Sequence, residues 1–211
     1  MNIKKRLIKK IVFILFFLCA SVLVINNVFA GDTWRGLAPF SDKKEASPKK
    51  EVPLRDQNDP KNGAVGQAAC GPTALGMALE YFGKNIPTKQ LIKESGMNPD
   101  EGAYIPELID EANKYLPNSH FSWWTIIGDA MDYLKREIKS GGLVIVPVQG
   151  DYADKTAGEG HYLLVTDIKG GNVYANDPAG GTRVVISEKD FRNIWANGKN
   201  SDKKPCVVIH K

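Results

Sequence analysis

Two rhythms of apolar residues divide this chain. Up to about position 138 they return at helical spacing. Ala74, Leu75, Ala78, Leu79 and Phe82 share one face of a helix predicted over residues 71–81, with Pro72 suited to its first position and Gly83 to its C-terminal cap. A short helix through Leu91 and Ile92 follows, with Thr88 as its cap. Another opens at Pro106-Glu107-Leu108-Ile109-Asp110-Glu111-Ala112 and ends near Leu116-Pro117. A third, at about 129–138, aligns Ala130, Met131, Leu134 and Ile138 and stops at Ser140-Gly141-Gly142. The rhythm then changes. Residues 143–148 form a continuous apolar run broken by Pro147 and read as a strand, as do residues 161–166, 172–176, 183–186 and 207–210. Upstream of all these, residues 52–57 are expected to form a short strand, and residues 58–66, with Asn-Asp-Pro and Asn-Gly, a loop. Helices first and antiparallel strands after describe an α+β fold of two facing layers, with a cleft to which both halves contribute.

The first 30 residues stand apart. Lys4, Lys5, Arg6, Lys9 and Lys10 precede an apolar run over residues 11–25, and Val28-Phe29-Ala30 gives a small-residue exit. That order predicts a signal peptide over residues 1–30, cleaved after Ala30. An uncleaved anchor is the rival, but the run is short for a membrane span. Bulky Phe16-Phe17-Leu18 before Cys19 argues against a lipid anchor, so no stable membrane anchor is expected after cleavage. Taking the five positive charges of residues 1–30 from the formal +4 leaves −1. The basicity therefore belongs to the export signal, and nothing basic remains to suggest nucleic acid as a partner. Residues 31–51, with Lys43-Lys44-Glu45, Ser47-Pro48 and Lys49-Lys50-Glu51, read as a charged flexible linker. Residues 52–211 are left as one domain.

Two cysteines remain beyond the signal, Cys70 and Cys206. Cys206 lies in Pro205-Cys206-Val207-Val208-Ile209, a buried strand in which its thiol reads as core. If the two were bridged in an oxidising compartment, Cys70 could not react. Otherwise Cys70, at the start of a helix, feels the positive end of the macrodipole, which favours thiolate. Of the three histidines, His210 is beside the C-terminus and His120 falls in an expected surface turn, Asn118-Ser119-His120-Phe121. His161 opens a strand after Gly158-Glu159-Gly160, and Asn176-Asp177-Pro178 ends the next. A hairpin would bring His161 and Asp177 to one end. Cys70, His161 and Asp177 then supply nucleophile, base and orienting carboxylate. The same residue types could suggest zinc, but no Cys-x-x-Cys or His-x-x-x-His spacing supports it, so neither metal nor cofactor is expected.

Val52-Pro53-x-x-x-Gln57, Ala69-Cys70-Gly71-Pro72-Thr73-Ala74-Leu75, Gly160-His161-Tyr162-x-x-Val165-Thr166 and Asn176-Asp177-Pro178, in that order and spacing, resemble the papain-like cysteine peptidases of family 39. The best-known members remove double-glycine leaders from bacteriocins and are fused to peptide-exporting transporters. Phe191-x-x-x-Trp195 is similar to the family's closing helix, and the resemblance covers residues 52–210. It implies a papain-like fold, with a helical half carrying Cys70 packed on an antiparallel sheet carrying His161 and Asp177. It also implies Cys70 as nucleophile, His161 as base, Asp177 as orienting acid, and a glutamine amide that joins the Cys70 N–H in an oxyanion hole. Transporter-linked members place that glutamine six residues before the cysteine, where this chain has Ala64. Gln57, thirteen residues upstream, fits the Val-Pro-x-x-x-Gln pattern and is the preferred candidate; Gln67, three upstream, is the other.

The resulting expectation is an exported cysteine peptidase, secreted, periplasmic or envelope-associated, that hydrolyses peptide or protein substrates through an acyl-enzyme. The sequence shows no transporter or ATP-binding domain beside it, so the leader-peptide substrate is not carried over. Two alternatives share the fold: an amidase or transpeptidase on cell-wall peptides, with Trp123, Trp124 and Tyr152 as candidate cleft aromatics, and a non-catalytic exported binding module. The linker is too short to be a folded pro-domain. Restraint is therefore expected from a separate inhibitor or from narrow access, with the loop at residues 151–159 as a candidate gate.

Overall fold

The helix that begins at the candidate nucleophile, Cys70–Tyr81 (α1), is buried along its whole first part, from Cys70 to Leu79. Cys70 is its first residue and Pro72 its third, not its first. Proline still costs the helix nothing there, because the first four N–H groups have no intrahelical acceptor. Gly83 ends it as expected. At φ 88° its N–H donates to the Glu80 carbonyl (3.0 Å) and that of Lys84 to the Leu79 carbonyl (2.8 Å). Burial on all sides, and not on one face alone, follows from small residues that admit close neighbours. A Cβ on Gly71 would lie 3.1 Å from Leu108 and 3.3 Å from Tyr162; one on Gly76 would lie 2.4 Å from the Arg55 guanidinium.

The computed structural model describes residues 51–125, 130–149, 160–195 and 203–211. After α1 come Thr88–Ser95 (α2), Ile105–Tyr115 (α3), His120–Thr125 (β1), Ala130–Lys139 (α4) and Leu143–Val148 (β2). His161–Lys169 (β3), Asn172–Asp177 (β4), Thr182–Ser187 (β5), Glu188–Ile194 (α5) and Lys203–Ile209 (β6) complete them. Pro87, not Thr88, is the N-cap of α2; Thr88 sits inside the first turn, where its hydroxyl accepts from Arg55 at 3.4 Å.

Among the described residues, six strands form one antiparallel sheet in the order β1-β6-β2-β3-β4-β5. Leu143, Ile145, Leu164, Val207 and Ile209 face Leu75, Leu79, Leu91 and Leu108 of α1, α2 and α3. Val144, Val146, Val148, Leu163, Val165, Val173, Cys206 and Val208 face the opposite way, onto Met131 and Leu134 of α4 and Phe191 and Trp195 at α5. The helical half thus packs on the sheet as expected, and α4 and α5 add a third layer behind it. The apolar run of β2, with no polar residue in it, is the mark of a strand buried on both faces. Pro147 fits there because β6 pairs with β2 only over Leu143–Ile145, so its missing N–H leaves no ladder bond empty on that side.

Two further local expectations fail. Residues 52–57 form no strand; their carbonyls are met by side chains, as described below. His120 is not in a turn but opens β1 opposite Val208, stacked 6.0 Å from the His210 ring, with its Nε2 3.1 Å from the Tyr133 hydroxyl. Its strand partner arrives from the far end of the chain, which no local pattern announces. Residues 1–50, the candidate gate at residues 151–159 with Tyr152, and the side chains of Trp123 and Trp124 lie outside the described residues.

Candidate active site

The tight turn between β3 and β4, made by Gly170 (φ 58°) and Gly171 (φ 76°), folds these strands into a hairpin. The start of β3 and the end of β4 therefore share one edge, and they carry His161 and Asp177. His161 Nε2 lies 2.8 Å from Asp177 Oδ1. The carboxylate is fully buried, and the same oxygen accepts the Ala179 N–H at 2.7 Å. With Nε2 engaged, Nδ1 is the nitrogen left to face Cys70, whose charge favours the protonated ring. Burial of the imidazole alone would lower its pKa. The hydrogen bond to Asp177 and the proximity of Cys70, with the charges of both, outweigh that and raise it to about 9. The charged pair therefore adds its full stability below the ordinary value of 6.5 and loses it as pH rises through about 9.

Gln57 is buried, and its backbone N–H donates to the carbonyl of Pro178, the residue after Asp177, at 2.8 Å. Its side-chain Nε2 donates to the Gln67 carbonyl at 2.8 Å, while its Oε1 is buried without a hydrogen-bond partner. An amide nitrogen has two hydrogens, so one remains for a further acceptor. Gln67 is itself exposed and contributes its backbone to this arrangement. The loop before Cys70 fits closely around Gln57. Asn62 Nδ2 donates to the Gln57 carbonyl at 3.0 Å, and a Cβ on Gly66 would fall 2.6 Å from that oxygen. The structure thus brings Cys70, His161 and Asp177 together and seats Gln57 against the loop that leads to Cys70.

The two cysteines are both free, and they lie on opposite sides of the sheet, so the bridged alternative is excluded. Burial, helped by Glu137, pushes the Cys206 thiol up to about 12, as befits core. Tyr162, against Gly71, has its phenol held above the usual range by burial and then by Cys70. Among the described residues, no three His, Cys, Asp or Glu side chains are arranged to hold a metal ion. Sequence reasoning missed Arg55, Asn62 and the side chain of Asn176. Arg55 bonds Glu80 Oε2 at 2.8 Å and the Ile86 carbonyl at 2.6 Å, pinning the segment before Gln57 onto the helices. Only Asn176 carried a signal, as the first residue of Asn-Asp-Pro.

The model of the Peptidase_C39 like family matches residues 49–203. No curated protein matches the chain. Among solved structures, one described as a C39-like peptidase from Bacillus anthracis is 20% identical, with a TM-score of 0.58 over 76% of this chain and 95% of that one. The peptidase domain of Streptococcus ComA, a bifunctional ABC transporter involved in quorum sensing, is 18% identical, with a TM-score of 0.56 over 76% and 100%. A double-glycine motif protease from an AMS/PCAT transporter, in complex with the leader peptide, is 21% identical, with a TM-score of 0.51 over 74% and 89%. These likenesses establish a shared papain-like fold. With a family match over most of its length and that fold, the chain belongs to the Peptidase_C39 like family and is a cysteine-type peptidase.

Proposed function

We propose that this peptidase works outside the cytoplasm and hydrolyses peptide bonds through an acyl-enzyme on Cys70. The observation that carries the mechanism is the imidazole of His161 held between Cys70 and a buried Asp177 at 2.8 Å. The Cys70 sulfur attacks the scissile carbonyl carbon, and the oxyanion accepts from the Cys70 N–H and from Gln57 Nε2. The His161 imidazolium gives its proton to the leaving nitrogen as the C–N bond breaks, leaving a thioester. Water then gives a proton to His161 and attacks the thioester. The C–S bond breaks, and the acid product leaves a thiolate beside an imidazolium. Asp177 touches no substrate; it fixes the ring and stabilises its charged form. The relative captured with a leader peptide supports a peptide as substrate, and the signal-like residues 1–30 support export.

The test is hydrolysis of a denatured protein, with new N-termini read by mass spectrometry, for the parent, Cys70→Ala and Gln57→Ala. Cys70→Ala yields none. Gln57→Ala lowers kcat by about 10²–10³-fold with KM little changed, the loss typical of one oxyanion donor. A parent-like Gln57→Ala would remove Gln57 from the oxyanion role. Export has its own readout: N-terminal sequencing of protein recovered outside the cytoplasm begins at Gly31. An intact Met1 would contradict cleavage.

A further inference from the structure

We infer that Asn176 is a positioning residue for the catalytic pair: its side-chain amide latches residues 52–57 across the end of β4 and thereby sets Asp177 and Gln57 in register. This rests on the acyl-enzyme reading above. Asn176 is 2% exposed, and its Nδ2 donates to the Pro53 carbonyl at 3.0 Å and the Val52 carbonyl at 3.4 Å. Those carbonyls belong to a segment that pairs with no strand, and side chains meet them in place of a ladder. Asparagine suits the position because one NH₂ group offers two donors. Leucine would leave the Pro53 carbonyl unpaired and the Val52 carbonyl with only Arg183 Nη2 at 3.5 Å, and aspartate would set a carboxylate against both.

Downstream of that latch, the same segment closes on the turn after Asp177. Gly180 N–H donates to Asp56 Oδ1 at 3.1 Å, and Gln57 N–H to the Pro178 carbonyl at 2.8 Å. Gly181 (φ +58°) lies so close that a Cβ would meet the Arg55 carbonyl carbon and the Asp56 nitrogen at 3.2 Å. On the other side, Arg55 fixes the segment to Glu80 and Ile86. The piece of chain that ends in Gln57 is thus clamped between the helices and the turn that carries Asp177, with Asn176 as the β4 side chain that reaches it. A slip here moves two groups of the site at once, and a misplacement of about 1 Å costs on the order of 10²-fold in rate.

Two substrate-free readouts separate positioning from mere stability. These are the NMR titration of the His161 imidazole and the rate of Cys70 alkylation by iodoacetamide at neutral pH. Both are recorded for the parent, Asn176→Ala and Thr166→Val. The last removes a hydrogen bond to the Tyr174 carbonyl (3.2 Å) on the same hairpin, away from the catalytic groups. In Asn176→Ala the His161 midpoint falls from about 9 toward 6.5, and alkylation slows by roughly 10–100-fold. Thr166→Val leaves both as in the parent. If Asn176→Ala does not fold, Asp56→Ala releases the same turn from its other side and gives the same directions at smaller size. A folded variant with lowered Tm but parental midpoint and rate overturns the latch. A parent whose own His161 titrates in the ordinary range, with slow labelling, refutes the catalytic pair and the latch with it.

Discussion

His161→Ala lowers kcat/KM for peptide hydrolysis by about 10²–10⁴-fold, toward the upper end of that range. In the proposed mechanism one imidazole serves two proton transfers in each turnover, to the leaving nitrogen and from the hydrolytic water. No other histidine is near enough to substitute, since His120, which opens β1, and His210, just past the end of β6, stack on each other two or more strands away from β3. The parent's activity falls as pH rises through about 9, because the leaving nitrogen then meets a neutral ring with no proton to give. In His161→Ala that alkaline fall disappears with the activity. Removing the ring leaves the Asp177 carboxylate buried without its imidazole partner, so Tm falls as well and the rates are compared per folded enzyme. A loss below tenfold, or an alkaline limb that survives the substitution, would contradict the role.

Trp195→Ala is the largest stability lesion expected. The ring is fully buried on the side of the sheet away from α1, 5.5 Å from Phe191, and its Nε1 donates to the Pro205 carbonyl at 2.9 Å. Truncation removes an aromatic from a packed core and leaves that carbonyl without its donor. The cost is about 3–5 kcal/mol, and each kcal/mol lowers Tm by about 2–4 °C in a domain of this size. Thermal unfolding checks it, with Trp195→Phe as the smaller lesion. Because Cys70 lies across the sheet, the folded fraction of Trp195→Ala alkylates at the parental rate. A Tm within a degree or two of the parent's would show that the layer formed by α4 and α5 closes over the gap.

The elements that position the chemistry were the most legible in the sequence. The helix at Cys70 announced itself by the spacing of Ala74, Leu75, Ala78 and Leu79 and by Gly83. The β3–β4 hairpin announced itself through the short reach between His161 and Asp177. The sheet's second cover was also present, in the apolar run of β2, but two-sided burial shows only when the strand is read against every helix. What stayed hidden depends on residues far apart in the chain. β1 is a strand because β6 returns to pair with it, so His120 looked like a turn residue. Residues 52–57 read as a strand but pair with none. Beyond the nearby Asn62, the bonds that hold them come from Asn176 and from the turn after Asp177, more than a hundred residues away. Arg55 gave no signal at all, since an arginine near the start of a domain reads as a solvated charge until its partners Glu80 and Ile86 are in place.

The rate of Cys70 alkylation by iodoacetamide at neutral pH, measured on the parent and on His161→Ala, bears most directly on the Cys70–His161 pair. Mass spectrometry assigns the label, and Cys206, fully buried, stays unmodified. Fast labelling of the parent, slowed sharply in His161→Ala, is the expected result. Slow labelling of the parent at a rate that His161→Ala leaves unchanged would mean that the imidazole does not activate the thiol, and that the acyl-enzyme mechanism on Cys70 is wrong.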